Sequence, residues 1–337
     1  MLKFYKLVFI ISMISGTLIT ISSYSWMSMW MGLEINLLSI IPLLSSDKNS
    51  YSNESTLKYF ITQTLASSIL MFSIITTLNL NEFINNDFNY YSMLIMNSSI
   101  LTKMGAAPFH FWFPEIMEGL NWMNCFIMLT WQKIAPFVIL MMNSKMTLFL
   151  SLIIISSSMI SGILGINQIS LRKILTYSSI NHIAWMISSL MNSQSIWLFY
   201  FMVYSIITIN IIYMLKTLNI YYLKQLFNSM NSNKMFKMLF IMNFLSLGGL
   251  PPFLGFFPKW LTIMNLTQNN FYLISVILIT FTLITLFFYL RLTFSTLTLS
   301  FNETPMMTSN KFSFSFIMFN FISLMGMIFS TFLFNFF

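Results

Sequence analysis

The chain has 337 residues, of which 57% are hydrophobic and only 7% charged, and it carries a net charge of +8. A soluble domain carries about 25% charged residues, so eight acidic side chains exclude a soluble surface of this size. The basic residues form no cluster interleaved with aromatics, which argues against nucleic acid, and the single cysteine, Cys125, excludes a disulfide framework or a four-cysteine iron–sulfur or zinc site within the chain.

Apolar runs of about 20 residues, the length that spans a bilayer, recur from end to end. The first lies in MLKFYKLVFIISMISGTLITISS. It follows Lys3 and Lys6 as a signal peptide would, but no small-x-small cleavage site comes after it, and it reads as a retained helix. In chain order the expected spans are 4–22, 25–45, 57–79, 91–119, 122–142, 147–166, 173–190, 194–216, 236–266, 271–291 and 313–336. The fold class is therefore an all-α membrane protein of about eleven transmembrane helices. With the N-terminus on the basic side, twelve Lys and Arg residues fall on that side, among them Lys3, Lys6, Arg172, Lys173, Lys216 and Arg291. Only Lys145 falls on the other, and Lys103, Lys133 and Lys259 lie within spans. Under the positive-inside rule the N-terminus is inside, and an odd number of spans puts the C-terminus outside. The 30 methionines and scarce alanines fit the codon bias of an AT-rich genome, such as an animal mitochondrial one, better than a metal site.

The fourth and ninth spans are too long. At 29 and 31 residues they would make roughly 45 Å of straight helix, against a hydrocarbon core of about 30 Å. Both are also broken by proline. GAAPFHFWFPE begins at Gly105, and GLPPFLGFFPK begins at Gly249, 144 positions later. Both fit G-x-x-P-F-x-x-x-F-P followed by a charged residue. Five spans lie from one to the next, so the two copies enter the membrane from opposite sides. This predicts inverted five-helix repeats with two discontinuous helices: 1–145 the first repeat, 146–292 the second, and 293–337 a C-terminal loop and helix. Coincidence between two Pro-Phe pairs in a chain with 37 phenylalanines is the alternative.

Four ionisable groups sit within spans or at the breaks: Glu34, Lys103, Lys133 and Lys259. Each costs about 2.5–3.5 kcal/mol at the bilayer centre. Snorkelling can rescue a lysine near a helix end, but not Glu34 at the centre of its span. Burial disfavours the charged form of any such group, so a lysine whose carboxylate partner approaches or withdraws can take up and release a proton. An opened helix admits water between side chains. The prolines open the fourth span, and Lys103 and His110 line the opening. An inert Glu34–Lys103 ion pair is the bland alternative. Histidine is the side chain suited to shuttling protons near neutral pH, which makes His110 and His182 candidate relays, although a lone histidine is also a common hydrogen-bonded structural residue. No G-x-G-x-x-G or Walker loop is present, and two histidines on different spans make a poor haem site.

Five stretches carry a family resemblance: WMGLEINLLSIIPL at 30–43, KMGAAPFHFWFPEIMEGL at 103–120, QKIAPFVIL at 132–140, LRKILTYSSINHIAWM at 171–186 and LSLGGLPPFLGFFPKW at 245–260. The chain resembles the antiporter-like membrane subunits of respiratory complex I, in the subunit 2 family of NADH–ubiquinone oxidoreductase in its animal mitochondrial form. That resemblance implies fourteen helices in inverted repeats, reduced to eleven in animals. It assigns Glu34 as the buried glutamate, Lys103 as the lysine before the first break, Lys133 as the central channel lysine and Lys259 as the lysine after the second. Lys103 precedes its break whereas Lys259 follows the other, a departure from symmetry. The resemblance further implies a proton-translocating subunit of the mitochondrial inner membrane, with the N-terminus in the matrix and the C-terminus in the intermembrane space. It implies no redox centre in this chain, NADH, FMN, iron–sulfur clusters and ubiquinone being used through other subunits. The implied partners are neighbouring membrane-arm subunits and lipids such as cardiolipin. A free-standing sodium or potassium/proton antiporter and a passive scaffold are the other classes.

Overall fold

Unbroken apolar runs satisfy their backbone groups only as helices, because lipid offers no hydrogen-bond partner. The computed structural model describes residues 4–46, 49–83, 86–230 and 234–298, together with Asn320, Phe321 and Ser323. The named elements are α1 (Phe4–Ser22), α2 (Trp26–Leu44), α3 (Ser50–Phe83), α4 (Asn86–Met104), α5 (Trp112–Gly119), α6 (Trp122–Leu129), α7 (Trp131–Met142), α8 (Thr147–Ile166), α9 (Leu171–Leu190), α10 (Gln194–Thr217), α11 (Leu223–Met230), α12 (Lys234–Gly248), α13 (Phe256–Gln268) and α14 (Tyr272–Thr298). Ten of the expected spans coincide with helices or helix pairs among these. The eleventh, 313–336, lies outside the described residues apart from Asn320, Phe321 and Ser323, as do Lys3, Lys48 and Lys311. Among the described residues, seven helical stretches are long and apolar enough to cross a membrane, α6 and α7 together making one of them.

Both expected breaks are present. α4 stops at Met104 and α5 starts at Trp112; α12 stops at Gly248 and α13 starts at Phe256. Gly105 and Gly249 each take φ +76°, a left-handed value that favours glycine. The bonds Ala107–Pro108 and Pro251–Pro252 are cis. The motif thus produces the same local geometry in each copy.

The fifth span departs from expectation. It is not one continuous helix but is interrupted at Thr130, between α6 and α7. The Thr130 hydroxyl and N–H both donate to the Phe126 carbonyl, at 2.8 and 3.1 Å, and a threonine bonded back to its i−4 carbonyl bends a helix. Pro136 then withholds the N–H that the Gln132 carbonyl would accept. Lys133 therefore lies in the first turn of a new helix, not in the middle of an unbroken one.

The chain divides into two compact units, Met1–Ile153 and Ile154–Phe337. In the first, α1 and α2 cross at Gly16 and Gly32. A Cβ on Gly32 would lie 2.8 Å from the Gly16 carbonyl oxygen, so only glycine permits this approach. In the second, α9 is the central post. Eighteen of its twenty residues are buried, the serines, Asn181 and His182 included. A helix buried on every side has no solvated face on which to place polar residues. Its polar groups must find partners within the protein.

Candidate functional site

Each break carries its own group of polar side chains. In the first unit Lys103 occupies the last turn of α4 and is 7% exposed. It lines a small cavity with Asn36 on α2, Tyr59 and Gln63 on α3, and Gln132 on α7. The space for water centres there is about 20 Å³, enough for at least one water. Asn36 and Gln132 exchange amide hydrogen bonds of 3.2 and 3.0 Å. The Tyr59 hydroxyl donates to the Gln132 amide oxygen at 3.4 Å, while the Gln63 amide nitrogen is buried with no hydrogen-bond partner.

Glu34 lies on α2, half-buried, with Oε1 buried and unpartnered. It makes no hydrogen bond or ion pair with Lys103. Among the described residues, the direct ion pairs join Lys58 to Glu54 and to Glu115, both at 3.1 Å. Glu34 and Lys103 thus do not form the inert contact pair, and a coupling between them would act across a gap. Removing either alone should destabilise the assembled subunit by about 1–3 kcal/mol, the cost of an uncompensated buried polar group. That is less than the ~3–5 kcal/mol of a broken contact pair. A Lys103→Met, Glu34→Gln double variant should accumulate better on native gels than either single variant; strictly additive losses would show that the charges are independent.

Lys133 is 2% exposed, and its ammonium stands 5.7 Å above the Phe113 ring, within cation–π range. Phe113 belongs to α5, the half-helix after the first break, and its ring fills the space beside Gly105, where a Cβ would lie 3.3 Å from it. The α7 lysine is therefore in contact with the broken element itself. His110 lies inside the break, 1% exposed, with Nδ1 3.3 Å from the Pro108 carbonyl oxygen and Nε2 buried without a partner. Trp112 ties the two halves, donating from Nε1 to the Thr102 carbonyl at 3.1 Å. Glu115 is exposed and bound to Lys58, which places it outside this group.

In the second unit Lys259 is 7% exposed, and its ammonium donates to the carbonyls of Gly248 at 2.8 Å and Leu247 at 3.4 Å. These are the last carbonyls of α12, the negative end of a helix dipole, where a cation is favoured. The ammonium also stands 5.8 Å from the Trp185 ring on α9. By the 144-residue offset, Leu247 corresponds to Lys103. Lysine 259 follows its break in sequence but reaches back to the turn that Lys103 occupies in the first copy. Both units thus bring a lysine to the end of the first half-helix, and the asymmetry of position seen in the sequence is reduced in space.

His182 sits on α9, one turn before Trp185. Its Nδ1 is 2.9 Å from the Tyr200 hydroxyl on α10. Its ring lies 5.0 Å from that of Tyr204. Nearby, Asn181 donates to the Thr285 hydroxyl on α14 at 3.2 Å. Sequence reading singled out neither Tyr200 nor the amides Asn36 and Gln63. Hydroxyls and amides occur on nearly every span, and no spacing within one helix marks a partner on another. Gln132, adjacent to Lys133, was the one local signal.

The family described as NADH:quinone oxidoreductase/Mrp antiporter, TM, matches residues 23–285. The NADH-ubiquinone oxidoreductase chain 2 of Anopheles gambiae is 46% identical over 97% of this chain and 97% of its own length. The chain belongs to the NADH-ubiquinone oxidoreductase chain 2 family. The chain 2 protein of Aedes aegypti is 48% identical over 98% of both chains. The fold of this family member also matches a chain of respiratory complex I from Thermus thermophilus, with a TM-score of 0.84 over 96% of this chain and 79% of that one, at 20% identity. All the residues singled out, from Glu34 to Lys259, fall within the matched family segment.

Proposed function

We propose that the chain is a proton-translocating core membrane subunit of NADH:ubiquinone oxidoreductase, complex I. The observation that carries this reading is the pairing of each helix break with a buried lysine, in one chain and twice over. Proton movement needs groups that bind a proton reversibly, away from bulk water, beside polar space that can hold water. Lys103 beside its cavity meets that need, and Lys133 against Phe113 stands where the broken helix can affect it. Glu34 modulates Lys103 across a gap. His110 and His182 are the candidate relays. Protons move from the matrix to the intermembrane space in response to quinone reduction. NADH, FMN, iron–sulfur clusters and ubiquinone serve that reaction through other subunits, and this chain contributes no redox centre. Neighbouring membrane-arm subunits and anionic lipids such as cardiolipin surround it in the mitochondrial inner membrane.

The test of assignment is mass spectrometry of native-gel bands from the inner membrane. The chain should migrate with the other complex I subunits. Recovery as a free species that exchanges sodium or potassium for protons in liposomes would replace this reading with that of an independent antiporter. The orientation, with the N-terminus in the matrix, has its own test. Cys125 is buried, so a cysteine introduced at the exposed Thr217 is the reactive thiol. In intact mitoplasts an impermeant thiol reagent should leave it unlabelled until the membrane is opened, and labelling from the intermembrane side would reverse the topology.

A further inference from the structure

We infer that Gln63 is a positioning residue for Lys103, and that its amide holds a water in the cavity against the lysine nitrogen. This inference rests on the proposed proton role of Lys103 and adds a residue and a bound water to it. Gln63 lies on α3 one turn after Tyr59, so the two share a helix face, and both line the cavity with Lys103. Gln63 is 4% exposed, and its amide nitrogen has no hydrogen-bond partner in the protein. Buried amides are nearly always bonded, to protein or to ordered water. The other two amides on the cavity wall are committed to each other. Asn36 donates to Gln132 Oε1 at 3.2 Å, and Gln132 donates back to Asn36 Oδ1 at 3.0 Å. The Tyr59 hydroxyl gives Gln132 Oε1 a second donor at 3.4 Å, so both lone pairs of that oxygen are engaged. Gln63 is the lining amide left to bind a water, and the cavity admits at least one.

Lys103 needs such a water. It is 7% exposed, and among the described residues its ammonium forms neither an ion pair nor a hydrogen bond. A buried ammonium without a partner is costly, and the polar space beside this one is the cavity. Lys259 meets the same need in the second unit with the carbonyls of Gly248 and Leu247. A water offers two lone pairs and two protons. With Lys103 charged, one lone pair accepts from the ammonium and the other from the Gln63 amide, and a water proton goes to the Tyr59 oxygen. With Lys103 neutral, the water turns one proton to the amine lone pair and still accepts from Gln63. The amide therefore anchors the water in both states of the lysine, because its N–H donates whichever state is present. A carboxylate at this position would bind the ammonium as an ion pair; the neutral amide leaves the lysine proton exchangeable.

The test uses the assembled complex, wild type beside Gln63→Met, which keeps the side-chain length and removes the amide, with Lys103→Met and the Gln63→Met, Lys103→Met double variant. Electron cryo-microscopy at a resolution that shows ordered water is combined with NADH:ubiquinone turnover and KM at matched complex content. The wild-type map should show a water about 3 Å from both the Gln63 amide and Lys103 Nζ, and Gln63→Met should lose it. Gln63→Met should lower turnover about fivefold, the factor one hydrogen bond carries, with KM for ubiquinone unchanged and no further loss on top of Lys103→Met. A wild-type map without a water bonded to both groups would overturn the inference, and this readout stands even if Gln63→Met fails to assemble. Wild-type turnover in Gln63→Met with an impaired Lys103→Met would overturn the role of Gln63 and leave that of Lys103 standing. Wild-type turnover in Lys103→Met would remove the proton role on which the inference rests. Equal losses from Gln63→Met in the presence and absence of Lys103 would show that the amide acts elsewhere, which also overturns the inference.

Discussion

Gly249→Ala should lower both the amount of assembled complex and the turnover of what assembles, and should do so more than Gly105→Ala. Both glycines hold φ +76°, and a side chain forced into that region costs about 1–3 kcal/mol. The backbone strain is therefore shared, and what the added methyl meets is not. At Gly105 it lies 3.3 Å from the Phe113 ring, but at Gly249 it lies 2.8 Å from Lys259 Cδ and 2.9 Å from Nζ. The second contact pushes the ammonium off the carbonyls of Leu247 and Gly248. Two buried helix-end carbonyls then lose their donor, at about 1–3 kcal/mol. Lys259→Met, which keeps the length of the side chain and removes its charge, should reproduce the turnover loss without the backbone strain. Native-gel quantification and quinone reductase assays on the same membranes read both effects. Equal behaviour of the two alanine variants would show that the Lys259 contact carries no functional weight.

Lys133→Ala should leave assembly close to normal and reduce NADH oxidation by about tenfold or more, the scale on which a single proton-transfer group acts. Assembly survives because alanine suits a helix and a buried charge is removed rather than stranded. The loss of the cation–π contact with Phe113 costs about 0.5–2 kcal/mol. The redox step slows because a blocked proton step in a coupled machine holds back the electrons. The interruption at Thr130 adds to the reason for choosing this lysine. Lys133 begins α7, and its N–H is bonded to the Thr130 carbonyl at 3.2 Å at the edge of a bend. It is thus held at a joint between two helices.

The breaks were legible from sequence because they are written locally. Gly105 and Gly249 open matching motifs, excess length marks the same two segments, and the left-handed glycines appear where the motif requires them. The buried lysines were legible for a similar reason, since a charge in an apolar run stands out whatever surrounds it. The interruption at Thr130 was not, because a threonine in an oily helix leaves no mark until its hydroxyl is seen on the Phe126 carbonyl. The partners were also hidden. Glu34 and Lys103 are the natural pair by charge, but helix packing keeps them from direct contact. Lys259 follows its break in sequence where Lys103 precedes its own, and only the fold returns it to Leu247 and Gly248. Tyr200 meets His182 across two helices and eighteen residues, a relation that no periodicity encodes.

The central claim, that protons pass through this chain by way of Lys133, is tested most directly by protons moved per electron. Purified complex carrying Lys133→Ala is reconstituted into proteoliposomes. Quinone reduction and proton uptake are then recorded together on the same vesicles, with wild-type complex beside them. Both signals should fall together in the variant. Normal proton uptake per electron at a normal rate would contradict the account and make Lys133 a structural residue.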